Sequence, residues 1–340
     1  MSRPTIHDVA RVAGVSLSTV DRVLNGREGV KSVTQNRVAE AIRQLGYERN
    51  IAAANLSRKR RYRLLFILPG GGNSFMRGLE QEIAAQMDAW EFTAISVTNV
   101  PAFDDAALAD ALRRVDPQGT DGVALVATDS AIVRAALAEL RGKGIAAVTL
   151  VSDLPSSQRQ RFVGIDNVQA GRTAASLLGR FCRWRPGRIA LVAGSMLVRD
   201  HAERRLGFEQ VLRSEFPEQE VLPPLEGFDD QEIVGDRLTD MLSGTPDVVG
   251  IYSLGAGNRG VARAIAPLPA ERRPSVVVHE LTAYSREALL DGSFDAVIHQ
   301  DRAQEIRVAV ELLQALIDGS PIDPDAQRIG VEVYLRDNLP

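Results

Sequence analysis

A strand-like run, Val248 to Leu254, leads into Gly255-Ala256-Gly257-Asn258-Arg259-Gly260, and a helix-like segment follows. Glycines at that spacing, between a strand and a helix, make the dinucleotide-binding fingerprint, in which backbone amides approach a pyrophosphate. Glu280 follows after about twenty residues, where an acid would hold a ribose hydroxyl. Two other chemistries fit the same loop. The glycines can let the backbone approach a small ligand or satisfy a turn, or the helix N-terminus can receive a phosphorylated ligand. The fingerprint belongs in the first βαβ unit of a nucleotide domain, and this copy comes late in the chain, which weighs against it.

Other chemistry finds little support. The four histidines, His7, His201, His279 and His299, show no metal-ligand spacing with one another or with Cys182, the one cysteine. No Gly-x-Ser-x-Gly or comparable nucleophile arrangement stands out. The sequence therefore predicts a protein that is not an enzyme and that carries no cofactor and no metal.

The elements that position these residues fall into two unlike parts. Residues 1–63 hold 13 Lys/Arg and 5 Asp/Glu, a net of +8, and the remainder holds 27 and 39, a net of −12. A basic head on an acidic body implies that the head alone meets a polyanion. At 340 residues the chain exceeds one ordinary core. It shows no run of apolar residues long enough for a membrane span and no signal-peptide core. With its single cysteine this predicts a cytoplasmic protein with no membrane partner.

In the head, Thr5 and Asp8 are spaced as a capping box for a short helix that Gly14 breaks. Ser16 is a good N-cap for a second helix, Leu17 to Leu24, and a third runs from about Ser32 to Leu45. Two short helices across a tight glycine turn, braced by a third, make a helix-turn-helix whose second helix offers its N-terminal residues to the major groove. Arg22 can bond a guanine twice, Ser18 can bond bases or a phosphate, and Leu17 can meet a thymine methyl.

The run "TIHDVARVAGVSLSTVDRVLNG" followed by "RVAEAIRQLGY" resembles the N-terminus of lac repressor-type transcription regulators. The resemblance implies DNA contacts from Thr5, Ser16, Leu17, Ser18, Thr19, Arg22, Asn25 and Thr34. It also implies a hinge helix within "NIAAANLSRKRRYR". There Asn50, Ala53 and Leu56 match the family pattern, and a leucine from each protomer wedges into the minor groove. Asp21, Lys31 and Arg49 depart from the pattern; Ser32 is expected to replace Lys31 as the cap of the third helix.

From Arg63 onward apolar runs alternate with amphipathic stretches: 64–68, 92–97, 122–127, 146–151, 188–194, 248–254, 275–281 and 295–300. This is the βαβα pattern of parallel sheets. Its order and landmarks resemble the two-lobed sugar-binding core of those regulators and of type I periplasmic binding proteins. The resemblance implies lobe crossovers near 164–167, 300–302 and 320–325, and a cleft at the strand ends. It places Asn73, Phe75, Asp166, Arg204, Glu280 and Gln300 in that cleft, with Asn258 standing in for an Asn-Asp pair that reads Leu254-Gly255 here.

The reading is an all-α helix-turn-helix domain over 1–49, a hinge and linker over 50–62, and a two-lobed α/β ligand-binding and dimerisation core over 63–340. It implies a homodimeric repressor of carbohydrate-utilisation genes on a near-palindromic double-stranded operator, with a sugar, cyclitol or sugar phosphate as effector. A nucleotide-dependent enzyme using the glycine loop and a ligand-free DNA-bending protein are the alternatives.

Overall fold

The computed structural model describes residues 4–24, 29–45, 47, 61–255, 257–322 and 328–340. The chain divides into two compact units, Met1–Arg60 and Arg61–Pro340.

The first unit holds α1 (Ile6–Ala13), α2 (Leu17–Leu24) and α3 (Ser32–Leu45). Thr5 and Asp8 form the reciprocal capping box, and Gly14 ends α1 at φ 62° in the left-handed region. Ser16 Oγ accepts from the Thr19 amide at 3.2 Å and so caps α2. Val9, Ala13, Val20, Val38 and Ala41 form a small shared core. Ser32 is not the cap of α3. The Thr34 and Gln35 amides bond the Lys31 carbonyl, which makes Ser32 the first helical residue.

In the second unit, β1 (Tyr62–Gly70), β2 (Thr93–Pro101), β3 (Gly122–Leu125), β4 (Ala146–Leu150) and β5 (Arg161–Val163) form a parallel sheet ordered β2-β1-β3-β4-β5. Its helices are α4 (Ser74–Gln86), α5 (Asp105–Arg114) and α6 (Ala131–Gly142). The chain then leaves for a second sheet through α7 (Asn167–Phe181). There follow β6 (Gly187–Ala193), α8 (Arg199–Glu215), β7 (Gln219–Val221), β8 (Leu225–Glu226), α9 (Gln231–Gly244), β9 (Val248–Ser253), α10 (Asn258–Ile265), β10 (Ser275–His279), α11 (Ala283–Leu290) and β11 (Ala296–His299). After β11 the chain returns, and α12 (Arg302–Asp318) packs on the first sheet. It crosses once more before β12 (Glu332–Tyr334), which pairs antiparallel with β11 at the edge of the second sheet. That sheet is ordered β12-β11-β10-β9-β6-β7, with β8 beside β6.

The central strands β3, β4 and β9 are buried along their length, the usual state of parallel strands covered on both faces. In each sheet a strand out of sequence order lies beside an earlier one, β3 beside β1 and β9 beside β6. The loops diverge at such places, and a crevice opens at the carboxyl ends of the strands.

Candidate functional site

In the first unit, α2 presents an open face. Leu17, Ser18 and Arg22 are exposed, and a groove lined by Ser16, Ser18, Thr19, Arg22, Lys31 and Arg37 runs along it, with Thr34 on its α3 side. The hydroxyls of Ser16, Ser18 and Thr19 lie within 2.9 Å of one another in pairs through Ser16. Three cations and four hydroxyls on one groove suit phosphate oxygens and base edges. Thr5 lies at the start of α1, where its side chain is engaged by the capping box. Asn25, Asn50, Ala53 and Leu56, and with them the hinge, lie outside the described residues.

In the second unit a crevice separates the two sheets' strand ends. An inner chamber of about 100 Å³ opens into a wider mouth, the two sharing Asn73, Val100, Asp229, Asn258 and Thr282. Of the predicted residues, Asn73, Phe75, Arg204, Asn258, Glu280 and Gln300 line the chamber.

Each is held by its own element. Arg204 sits in α8, which crosses α7 so closely that a side chain at Gly207 would overlap the Val168 carbonyl oxygen. That approach lets Arg204 Nε donate to Asn167 Oδ1 at 2.9 Å, while Nη1 donates to the Leu254 carbonyl at 2.6 Å. Nη2 is buried with no hydrogen-bond partner among the described residues. Gln300 Nε2 donates to Glu280 Oε1 at 2.7 Å; Gln300 Oε1 is likewise buried without a hydrogen-bond partner, and Glu280 Oε2, also without a hydrogen bond, lies 3.5 Å from His299 Nδ1. Residues carrying one unmatched donor and two unmatched acceptors thus line one chamber, and vicinal hydroxyls supply both kinds of group, because each hydroxyl both gives and accepts.

Asp166, and two of the lining residues, are engaged elsewhere. Asp166 does not line the chamber. It is exposed and caps α7, accepting from the Gln169 amide at 2.9 Å, because the first amides of a helix need an acceptor. The buried neighbour Asn167 serves Arg204 in its place. Phe75 is only 5% exposed, packs into the first lobe's core, and has the Arg302 guanidinium 5.8 Å from its ring centroid, so its ring is not free to stack on a sugar. Asn258 ties β9 to β10, donating to the His279 carbonyl and accepting from Ser253 Oγ, which leaves its amide committed.

The glycine loop is explained by packing. Gly257 has φ 96°, open only to glycine at low cost, and a side chain at Gly260 would strike the Gln231 carbonyl of α9. Close docking of α10 on α9 therefore accounts for the spacing without a pyrophosphate. No group of three or more His, Cys, Asp or Glu among the described residues is placed to hold a metal.

The sequence reading missed three features. Asp200 and His201 of α8 and Asp229 after β8 also line the chamber. His279, fully buried against Tyr252 Oη at 2.8 Å, is held neutral by burial, its imidazole well below its usual range. Backbone strain also gathers here. Phe103, Val151, Phe228, Asp229 and Glu280 all have φ between 51° and 73°, and all five line the chamber or its mouth. Such conformations cost roughly 1–3 kcal/mol each and cluster where a ligand is held. For the β-branched Val151 the strain is greatest.

Residues 64–321 match the family described as periplasmic binding protein domain, and residues 5–50 match the bacterial regulatory proteins of the lacI family. The chain is similar to catabolite control protein A of Streptococcus mutans, at 28% identity over 62% of this chain and 60% of that protein. It is 30% identical to the protein of the same name from Priestia megaterium, over 61% of this chain and 60% of that one. The chain thus aligns with about 60% of the length of these relatives. Among solved structures it resembles a glucose-galactose binding protein from Geobacillus stearothermophilus (TM-score 0.74, 19% identity, 83% of this chain and 99% of that one). A solute binding protein from Burkholderia graminis, solved with D-arabinose, is as similar (TM-score 0.74, 21% identity, 82% and 97%). No described helix is long and apolar enough to cross a membrane.

Proposed function

The chain belongs to the periplasmic binding protein domain family and joins that domain to a head of the lacI family of bacterial regulatory proteins; on that premise we propose that it is a sugar-responsive, sequence-specific transcriptional regulator. The observation that carries the effector half is a group of chamber-lining residues whose buried atoms lack a hydrogen-bond partner, among them Arg204 Nη2, Glu280 Oε2, Gln300 Oε1 and Ser152 Oγ. Left dry, each would cost about 1–3 kcal/mol; the hydroxyls of a monosaccharide satisfy them together. Fold neighbours of the body, one named a glucose-galactose binding protein and one solved with D-arabinose, support the same class.

The ligand is a neutral sugar or cyclitol rather than a sugar phosphate. Asp104, Asp200, Asp229 and Glu280 line the chamber against Arg204, the one Lys or Arg among the described residues of its lining, so a phosphate would enter a field of its own sign. The protein acts in the cytoplasm as a homodimer on a near-palindromic site, since a twofold protein reads a twofold sequence. Ligand closing the lobes shifts a population between DNA-binding states, and repression of carbohydrate-use genes is the outcome.

The test is selection of an operator from random DNA, followed by binding measured with and without a panel of neutral sugars, cyclitols and sugar phosphates. Arg204→Ala and Glu280→Ala are expected to bind the selected DNA and to lose the response. If every panel member leaves operator binding unchanged in the wild type, the effector reading fails.

A further inference from the structure

Strands β6 and β9 lie side by side and end at the crevice, β6 running into Gly194 and β9 into Leu254 and Gly255. Neither glycine has a positive φ, so the backbone demands glycine at neither place. Space does. A side-chain carbon at Gly255 would overlap His201 Nε2, and the three atoms nearest to it would all belong to that imidazole. A side-chain carbon at Gly194 would overlap Asp229 Oδ1 and stand 3.1 Å from His201 Cε1. The His201 ring therefore takes the room that a side chain at the end of β9 would fill. It does so where the strand order changes, the place at which open α/β sheets hold ligands.

The other ring nitrogen fixes what Nε2 can do. His201 Nδ1 lies 3.0 Å from the Ser195 carbonyl oxygen; a carbonyl only accepts, so Nδ1 carries the proton and Nε2 offers a lone pair. That lone pair has no hydrogen-bond partner among the described residues. Asp200 Oδ2 is 3.8 Å away, beyond hydrogen-bond reach, and is itself an acceptor. Arg204 Nη1, also 3.8 Å from Asp200 Oδ2, spends its proton on the Leu254 carbonyl and so ties this face of α8 to the end of β9. His201, Asp200, Arg204 and Gly255 all line the chamber. Asn258, expected to supply the polar group here, is committed to β10.

We infer that His201 is the effector-contacting residue at the end of β9, its Nε2 accepting a hydrogen bond from one effector hydroxyl. This rests on the effector reading above and deepens it with a contact and a polarity. At this place the effector donates: a hydroxyl meets the requirement, and an ether oxygen or a fluorine does not. Gly255 belongs to the same contact, because it gives the ring its place.

The experiment is isothermal titration of the full-length protein with D-glucose, D-galactose, D-arabinose and myo-inositol, then with the monodeoxyfluoro analogues of whichever binds most tightly. Wild type, His201→Ala, Gly255→Ala and the double variant are compared. His201→Ala is expected to lower affinity about fivefold, as loss of a neutral hydrogen bond does. Fluorine at one position should weaken binding about fivefold in wild type and have no further effect in His201→Ala. Gly255→Ala, whose methyl group displaces the outer edge of the ring, should weaken binding about as much and add no loss in the double variant. Weaker binding by His201→Ala with every fluorine effect retained would make His201 a packing residue and overturns the inference. Wild-type affinity in His201→Ala overturns it too, as does binding of none of the four compounds. The effector reading itself fails only when no member of the wider panel alters operator binding. A second measurement needs no sugar. Long-range nitrogen–proton NMR correlations at about pH 8 should show His201, assigned by its absence from His201→Ala, protonated at Nδ1; a proton on Nε2 overturns the inference.

Discussion

Asn73 of the first lobe and Asp229 of the second are hydrogen-bonded across the cleft, Nδ2 to Oδ2 at 2.8 Å. Beside them Phe103 meets Phe228 edge to face, ring centroids 6.3 Å apart, one ring from each lobe. Asn73 Oδ1 also caps α4, so the helix that begins the cleft wall and the bond that closes the cleft depend on one side chain. Asp229 and Phe228 both sit in left-handed backbone, which turns them toward the opposite lobe.

Asp229→Ala removes the interlobe bond and spares the cap. The bond is worth about 1 kcal/mol, so effector affinity should fall about fivefold as the closed state loses population. Small-angle scattering of the ligand-free protein should report a larger radius of gyration than wild type. Superimposable scattering curves with unchanged affinity would mean that the bond does not hold the lobes together.

Arg22→Ala tests the head. The side chain is exposed on α2, so folding should be unaffected, and a two-bond contact to a guanine is worth about 1–3 kcal/mol. Anisotropy titrations should show specific affinity falling by roughly fivefold to 150-fold, with a smaller loss on scrambled DNA. Equal losses on both sequences would make Arg22 a phosphate contact only.

The architecture was readable wherever one element carried its own signal. The eight apolar runs of the body each became a strand; most are buried parallel strands, which write themselves as continuous apolar segments, whereas β2 is a largely exposed edge strand. Thr5, Asp8, Gly14 and Ser16 were readable because caps are local chemistry. The strands β5, β7, β8 and β12, of two or three residues each, left no period to read. Side-chain commitments were hidden for a different reason. Whether Asp166 or Asn167 faces inward depends on helix phase, and whether Asn258 is free depends on β10, far along the chain. Asp229 lay in a loop whose left-handed backbone no residue type announces.

Cys182 offers a stability test away from the cleft. Its backbone amide closes α7, and its thiol donates to the Val249 carbonyl at 3.3 Å and is fully buried; burial pushes the thiol up to about 11. A group whose folded value lies above its unfolded value of 9.0 stabilises fully below pH 9, and that contribution is lost as pH rises toward 11. Urea unfolding should therefore show stability falling by up to about 1.4 kcal/mol per pH unit in this window from this group. Cys182→Ala should flatten that slope. The same slope in both proteins would assign the loss elsewhere.

Glu305, in the first turn of α12, is fully buried, and neither of its carboxylate oxygens has a partner among the described residues. Burial, reinforced by nearby Glu280 and opposed by Arg204, raises its carboxyl well above the usual range. The sign follows from proton counting. Above pH 4.5 the unfolded chain releases this proton while the folded chain keeps it, so stability falls as pH rises toward the folded value. Glu305→Gln mimics the protonated acid in shape and cannot ionise. It should be more stable than wild type at neutral pH, with a gap that widens by up to about 1.4 kcal/mol per pH unit before levelling off. Thermal denaturation from about pH 5 to about pH 8 reads this directly. A difference that stays constant across that range would mean that Glu305 is already ionised in the folded protein and that Arg204 outweighs its burial.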